Sequence, residues 1–408
     1  MNKVGIIGAG ASGLFAAINI DNKENEITIL EKNNDIGKKI LMTGNGRCNI
    51  TNASFYDEFL DKIINNKMFM YSSFNNFDNY ATMDFYESHG LSLVTEEENR
   101  VFPKSQKATD VVKFFEKQIV KKNIKLVTEA NVTSVIYDGT FKVMASGRDY
   151  EFDRLIIATG GCSYPGTGSS GDGYKFAKSL GHKVSKTYPS LVPIFFMDKD
   201  LNDVKALSLD EVTINIKANN SNYKQTGPVL LTKNFITGPA VLSLSALTVD
   251  KKIEFLSLDL SLESTEDLDK ELIVAFDNNP NKNISNVLKD FIPQQLVEII
   301  LKRSGLNSDI KANKIRREQR QDLVENIKNF SLEFDKFGSY NTAVITKGGV
   351  EVDKISPKTM ESKIIPDLYF IGEVLDLDAM TGGYNLQIAF TTAKACADAI
   401  NKKSKEVS

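Results

Sequence analysis

The sequence predicts an α/β protein whose principal domain is Rossmann-like and is formed by both ends of the chain. Three observations predict it. An apolar, β-branched run over residues 4–7 leads directly into Gly8-Ala9-Gly10-Ala11-Ser12-Gly13 and then into a helix-forming stretch over 14–20. A second apolar run, 155–157, breaks at Ala158-Thr159-Gly160-Gly161. A third, 368–371, breaks at Gly372-Glu373, and Thr381-Gly382-Gly383-Tyr384-Asn385-Leu386 then opens a helical stretch reaching 399. Short apolar runs that stop at glycine read as strands followed by tight turns.

The first element carries the most chemistry. Gly8 permits the tight turn, Gly10 lets backbone approach a pyrophosphate, and Gly13 allows close packing of helix on strand. Ala11 and Ser12 then lie at the helix N-terminus, which faces the phosphates. The next strand, 27–30, ends at Glu31, 18 residues beyond Gly13. A carboxylate there accepts hydrogen bonds from a ribose 2′-hydroxyl and repels the 2′-phosphate of NADP, which indicates FAD or NAD. Lys32 follows it and is counted with the cofactor-binding residues, as is Val132.

The other two turns bear on which dinucleotide is bound. Small residues at 158–161 let a strand end press against a bound cofactor. An acid at 373 would hold a ribityl hydroxyl. Backbone N–H groups at 382–383, at the start of a helix, suit the negative charge that develops at flavin N1 and O2 on reduction. Two such donors selective for the reduced ring, at about 1.5–3 kcal/mol each, would raise a two-electron potential by roughly 65–130 mV. The arrangement favours flavin over nicotinamide.

Composition bounds the rest. At 408 residues the chain is long enough for two or three compact units. A formal charge of −3 gives no global attraction to nucleic acid or to an anionic membrane. Cys48, Cys162 and Cys396 are widely separated and form neither a disulfide framework nor a metal-binding CxxC pattern, so a reducing cytoplasm and no metal centre are expected. Glycines interrupt the apolar start, which argues against a signal peptide, and no apolar run approaches the roughly 20 residues that cross a bilayer.

With these residues in view, the chain resembles the HI0933-like flavoproteins, also called YhiN- or BaiN-like, within the glutathione-reductase-like FAD-binding group. Its most specific blocks are 36–39, Thr43-Gly44-Asn45-Gly46-Arg47-Cys48-Asn49 through Asn52, 100–103, 158–174 and 346–387. The resemblance implies a single FAD, with Lys38 and Lys39 near the cofactor and residues 44–49 near the reacting face of the isoalloxazine. Family members often carry three glycines where this chain has Gly44-Asn45-Gly46. The resemblance also implies an FAD domain from residues 1–189 and 340–408. Between them, at 190–339, it places an inserted substrate domain, β-rich over 190–262 and helical over 263–330. The local pattern agrees: 212–216, 229–231 and 253–260 read as strands, and 267–276, 285–292 and 294–303 as helices.

Flavin supplies hydride chemistry, so the protein needs to bind, orient and tune it. Neither His89 nor His182 lies in a flavin block, and both read as structural or exposed. Cys48, Tyr384 or a water remain as proton donors, Arg47 as a grip on an anionic or polarised substrate group, and Asn49 as their neighbour at the reacting face. Gly166-Thr167-Gly168-Ser169-Ser170-Gly171 repeats the GxGxxG spacing, but its distance from the preceding strand argues against a dedicated nicotinamide domain. Transient reduction by NADH or NADPH stays open. Lys311, Lys314, Arg316, Arg317 and Arg320 form a basic run, read first as a solvated helix face and second as an RNA contact. Activities of the family include uracil reduction in ribosomal RNA, aminoketone oxidation and reduction of double bonds in steroid acids. A flavin enzyme acting on a small organic substrate is the first reading, an RNA-modifying reductase the second, and a flavin-binding protein with little turnover the third.

Overall fold

In the computed structural model, which describes residues 1–407, the chain divides into two compact units, Met1–Ser190 with Ser339–Ser408, and Leu191–Gly338. The first is organised around a five-stranded parallel sheet. Its strands, in spatial order, are Leu368–Phe370, Arg154–Ile157, Asn2–Ile7, Asn25–Leu30 and Lys125–Val127. Val4, Ile6, Ile29, Leu155, Ile156, Ile157, Tyr369 and Phe370 are all buried, because elements cover both faces of the sheet. The helices Ala11–Asn19 and Tyr384–Val407 pack against one another, with the rings of Phe15 and Phe390 5.0 Å apart. The antiparallel sheet Val132–Tyr137, Phe141–Ala145 and Arg148–Phe152 lies close to the first strand. A Cβ on Gly5 would stand 2.4 Å from the Phe152 ring, so that contact requires glycine.

The register fixes the turns. Ile7 pairs with Leu30 on one side and with Ile157 on the other, so Gly8, Glu31 and Ala158 emerge together at the carboxyl edge of the sheet. Phe370 pairs with Ile157, which brings Gly372 to the same edge. The chain leaves the first strand toward one neighbour and returns to the other, so this edge holds a topological switch point, where open α/β sheets bind ligands.

The second unit is built on a seven-stranded antiparallel sheet in the order Phe330–Ser331, Ile253–Asp259, Leu207–Ala218, Ser221–Leu231, Phe235–Thr237, Ile194–Phe196, Phe334–Phe337. Thr265–Asn278, Gln294–Arg303 and Arg317–Lys328 are helices that share its core. Two local expectations are corrected, and the β-rich stretch also holds one helix. The strand expected at 229–231 is the apolar end of Ser221–Leu231, whose earlier residues are mostly exposed and carry no apolar pattern. The helix expected over 285–292 is a single turn, Ile284–Val287, followed by the 3₁₀ turn Leu288–Asp290. Within the stretch expected to be β-rich lies the helix Pro239–Thr248, started by proline at its first position. Among the described residues no helix is long and apolar enough to cross a membrane.

Candidate functional site

At the carboxyl edge of the parallel sheet the glycine turn has the geometry that its spacing demands. Gly8 sits at φ +105°, and a Cβ there would lie 2.5 Å from the Ala158 carbonyl oxygen. A Cβ on Gly13 would stand 2.0 Å from the Gly8 carbonyl oxygen. Gly10 differs: its backbone is extended and its Cβ position meets nothing within 4 Å. No side chain caps the helix that follows, and no acid stands in its first turn. An uncapped helix N-terminus opening on free space is a seat for an anion.

Glu31 is buried beside it. Its Oε2 accepts the Ala9 N–H at 2.7 Å, and its Oε1 accepts the Asn33 backbone N–H at 2.9 Å and the Asn33 side-chain amide at 2.7 Å. Three bonds leave one of a carboxylate's roughly four acceptor positions for a ligand. Lys32 turns away to Asp172 at 2.8 Å and to the Ser170 hydroxyl at 2.5 Å. Asn33 also donates to the Thr167 carbonyl at 3.0 Å, so the second glycine-rich turn is fastened to the acid of the first. Burial alone would raise the Asp172 carboxyl, but Lys32, Ser170 and Lys175 outweigh it and hold the group at about 2. This carboxylate lies in the first turn of the helix Asp172–Ser179, where it would repel a phosphate. Glu129 and Ala130 pair by backbone with Asn33 and Glu31; Val132 follows, buried in its own antiparallel sheet.

The remaining strand ends meet the same edge. A Cβ on Gly372 would lie 2.5 Å from Ser12 Oγ, which brings the C-terminal strand against the first turn of the N-terminal helix. Ala158 is buried, Thr159 Oγ1 is buried without a hydrogen-bond partner, and Gly160 has φ +71°. A Cβ on Gly161 would fall 2.4 Å from Thr346 Oγ1 and 2.9 Å from Glu373 Oε1. Glu373, expected to meet a ribityl hydroxyl, already accepts from Ser163 Oγ at 2.7 Å, the Thr346 N–H at 2.9 Å and Lys39 Nζ at 2.5 Å. Lys38 reaches Asn33 Oδ1, at 3.5 Å.

A second cluster joins the loop after Thr43 to the glycine pair. Gly44, Asn45 and Gly46 all have positive φ, at 57°, 54° and 81°. Asparagine tolerates this left-handed region better than other side chains, so Asn45 can occupy the middle of the turn. A Cβ on Gly44 would stand 2.9 Å from the Asn49 backbone N, and one on Gly383 would stand 3.0 Å from Asn49 Oδ1 and 2.4 Å from the Thr51 carbonyl oxygen. Asn49 Oδ1 is buried and has no hydrogen-bond partner among the described residues. Behind this junction lie two residues that motif reading missed as site elements. Asn52 donates to the Gly382 carbonyl at 3.0 Å and to the Glu98 carbonyl at 2.9 Å, and accepts from the Ser54 N–H at 3.0 Å. Gln387, fully buried, joins Thr51, the Asp78 carbonyl, Thr82 and Thr391. Only the TN and YNLQ letters beside the glycine motifs hinted at them.

Several expected roles meet adverse geometry. Cys48 is fully buried at φ +63°, and burial pushes its thiol up to about 12, so it holds its proton and is closed to substrate. The Tyr384 ring is buried edge-on to Phe59 at 4.8 Å, and burial raises its phenol. Arg47 is already bound to Glu96 at 3.0 Å and to Gln106 at 3.0 Å, and lies 4.1 Å above the Phe102 ring. Asn385 uses its amide to hold the Ala379 N–H and carbonyl and the Met380 carbonyl, and so braces the loop before the glycine pair. Thr43 bonds the Ile40 carbonyl at 2.7 Å, and Leu386 is half-buried one residue further along. His182 is buried against Ser362, and His89 is exposed and stacked on Phe85.

These features match known proteins along nearly the whole chain. Residues 2–399 match the family described as HI0933-like protein Rossmann domain. A ribosomal RNA dihydrouridine synthase of Escherichia coli is 32% identical over 403 residues, covering 98% of both chains. One of Haemophilus influenzae is 31% identical over 405 residues, again at 98% of each. A 3-dehydro-bile acid delta(4,6)-reductase of Clostridium scindens is 29% identical over 408 residues, covering 96% of this chain and 97% of that one. Among solved structures, 3-ketosteroid delta1-dehydrogenase from Sterolibacterium denitrificans shares the fold, with a TM-score of 0.54 at 12% identity over 99% of this chain and all of that one. With its parallel sheet, its glycine turn and an end-to-end family match, the chain belongs to the HI0933-like family and is an FAD-dependent oxidoreductase.

Proposed function

We propose that this protein reduces a carbon–carbon double bond conjugated to a carbonyl, with uracil in ribosomal RNA as substrate and NADH or NADPH as electron source. The observation that carries the cofactor half is the bare helix N-terminus at Gly10, bordered by the buried Glu31 carboxylate and by Ser12 against Gly372. In this reading residues 1–190 and 339–408 hold FAD and the second unit meets substrate. Gly10 to Gly13 bind the pyrophosphate, and the free acceptor position of Glu31 takes a ribose hydroxyl. Lys39 and Glu373, tied together, define the wall along the ribityl chain. Gly382 and Gly383 present backbone at the start of the last helix, where the positive end of the helix dipole favours charge on the pyrimidine edge of the ring. Bound flavin supplies a hydride at its central ring. With Cys48 and Tyr384 closed, the proton comes from water.

Ribosomal RNA is favoured over the small molecule that the sequence alone puts first, because relatives named for it align end to end at 32% and 31% identity. Uracil and the unsaturated ketone of a bile acid present the same problem, hydride addition to a carbon conjugated with a carbonyl. A second substrate class, an apolar enone, is favoured by the exposed side chains of Leu41 and Met42 beside the Gly44 loop. The test is anaerobic: the reduced holoprotein is mixed with ribosomal RNA from a strain lacking the gene, and dihydrouridine is measured by mass spectrometry as flavin absorbance returns. Formation of dihydrouridine is expected. Reoxidation by a dienone steroid with no effect of RNA would replace uracil by the apolar substrate, and reoxidation by neither would reject the reaction.

A further inference from the structure

Only part of the basic run of the second unit lies on a helix. Of its members, Arg317 and Arg320 belong to the helix Arg317–Lys328, Arg316 caps it, and Lys314 ends the 3₁₀ turn Ala312–Lys314. Arg320 is withdrawn: its guanidinium grips both oxygens of Asp269 at 2.6 and 3.2 Å. The others are drawn together with a lysine from elsewhere in sequence. The segment before the Ile284–Val287 turn runs antiparallel to the run, through Ile284 N–H to the Ile310 carbonyl at 2.8 Å, Ala312 N–H to the Lys282 carbonyl at 3.0 Å and Asn313 N–H to the Pro280 carbonyl at 3.3 Å. Lys282, Lys311, Lys314, Arg316 and Arg317 are all exposed, and among the described residues none of these five forms an ion pair with a carboxylate. Lys311 contacts only the neutral Asn283 side chain, at 2.7 Å.

Other exposed cations face acids, such as Lys142 with Asp138 and Lys270 with Asp267, or stand singly; this group differs in that five are gathered on two segments paired by backbone. Five cations without carboxylate partners, carried on hydrogen-bonded backbone, make a locally positive patch. Asn281 and Asn313 are exposed among them and add neutral donors. Spaced cations with amides between them suit a chain of phosphates better than one compact anion. We propose that this patch is an RNA-docking surface that grips the phosphate backbone of the substrate without reading its bases. The proposal rests on ribosomal RNA being the substrate and adds where the second unit holds it.

The experiment compares salt dependence of binding to protein-free ribosomal RNA for the FAD-loaded protein and for a variant carrying Lys311→Gln, Lys314→Gln, Arg316→Gln and Arg317→Gln. A control variant carries Lys113→Gln, Lys117→Gln and Lys121→Gln on an exposed helix face of the first unit. Four lost phosphate contacts at about 0.7 each make the log–log slope shallower by about three, and weaken binding by roughly several hundredfold near 0.1 M salt. The control keeps the parent slope, and all three proteins keep the same flavin spectrum and melting temperature. An unchanged slope in the patch variant overturns the proposal, as does parent protein that binds phosphatidylserine vesicles but no RNA. Dihydrouridine formation is read on the same samples. If the parent makes none, the substrate reading fails, while the slopes still decide whether the patch binds RNA.

Discussion

The two glycine turns of the first unit are built to opposite plans. At the N-terminal turn, Gly8 and Gly13 are locked by backbone contacts, while Gly10 between them faces free space and its helix carries no cap. The C-terminal turn is braced by side chains instead: Asn52 holds the Gly382 carbonyl, Gly383 leans on the Thr51 carbonyl, and Asn385 and Gln387 fasten the residues on either side. The first plan leaves room for a charged ligand. The second spends buried amides on fixing a backbone, which suits a surface that must orient a ring rather than admit a phosphate.

The sharpest way to break that contrast is a pair of alanines three residues apart. Gly13→Ala drives a Cβ into the Gly8 backbone, and the apoprotein should lose about 3 kcal/mol or more in urea unfolding. Gly10→Ala meets open space at an ordinary φ and should stay within about 0.5 kcal/mol of the parent while losing FAD affinity. Equal instability of the two would erase the distinction between locked and open glycines.

Asn52→Ala tests the braced plan. It leaves two part-buried carbonyls and one buried N–H without their partner and should cost about 1–3 kcal/mol. The flavin midpoint potential should also fall, because Gly382 and Gly383 lose their fixed aim. Loss of stability with an unchanged potential would make Asn52 merely structural.

A smaller effect tests the fastening between the two glycine-rich segments. The Asp172 carboxyl lies at about 2 in the folded protein against 3.8 when unperturbed. Its depressed value contributes stability that is present above 3.8 and lost as pH falls through about 2. Acid titration of Asp172→Asn should lack this component, and a parallel acid curve for the two proteins would contradict it. The smallest effect is expected at Cys48→Ser, whose reductive and oxidative rates near neutral pH should equal those of the parent, since the buried thiol at about 12 does not ionise there. A lost alkaline limb in the pH–rate profile would return Cys48 to the mechanism.

What the sequence made legible was local. Gly8, Gly10, Gly13 and Glu31 lie within one strand-turn-helix-strand unit, so spacing alone fixes their geometry. The partners of Glu373 come from residues 39, 163 and 346, and those of Gln387 from 51, 78, 82 and 391. No period in the sequence encodes such pairings. Arg47 and Cys48 stood in a specific motif, yet one is neutralised by Glu96 and the other is buried, facts set by packing rather than by residue type. In the second unit the strand Ser221–Leu231 was hidden by its exposed polar first half, and the grouping of the basic residues was hidden because Arg320 turns to Asp269 while Lys282 joins from a distance in sequence.

The most direct measurement is titration of apoprotein with FAD, followed by quenching of flavin fluorescence, for the parent and for Gly10→Ala. Saturation is expected at one FAD per chain, with binding weaker by about tenfold or more in the variant, the equivalent of one charge-assisted hydrogen bond. A parent that takes up no FAD, or a variant that binds it as tightly as the parent, would contradict the placement of the cofactor at the open glycine.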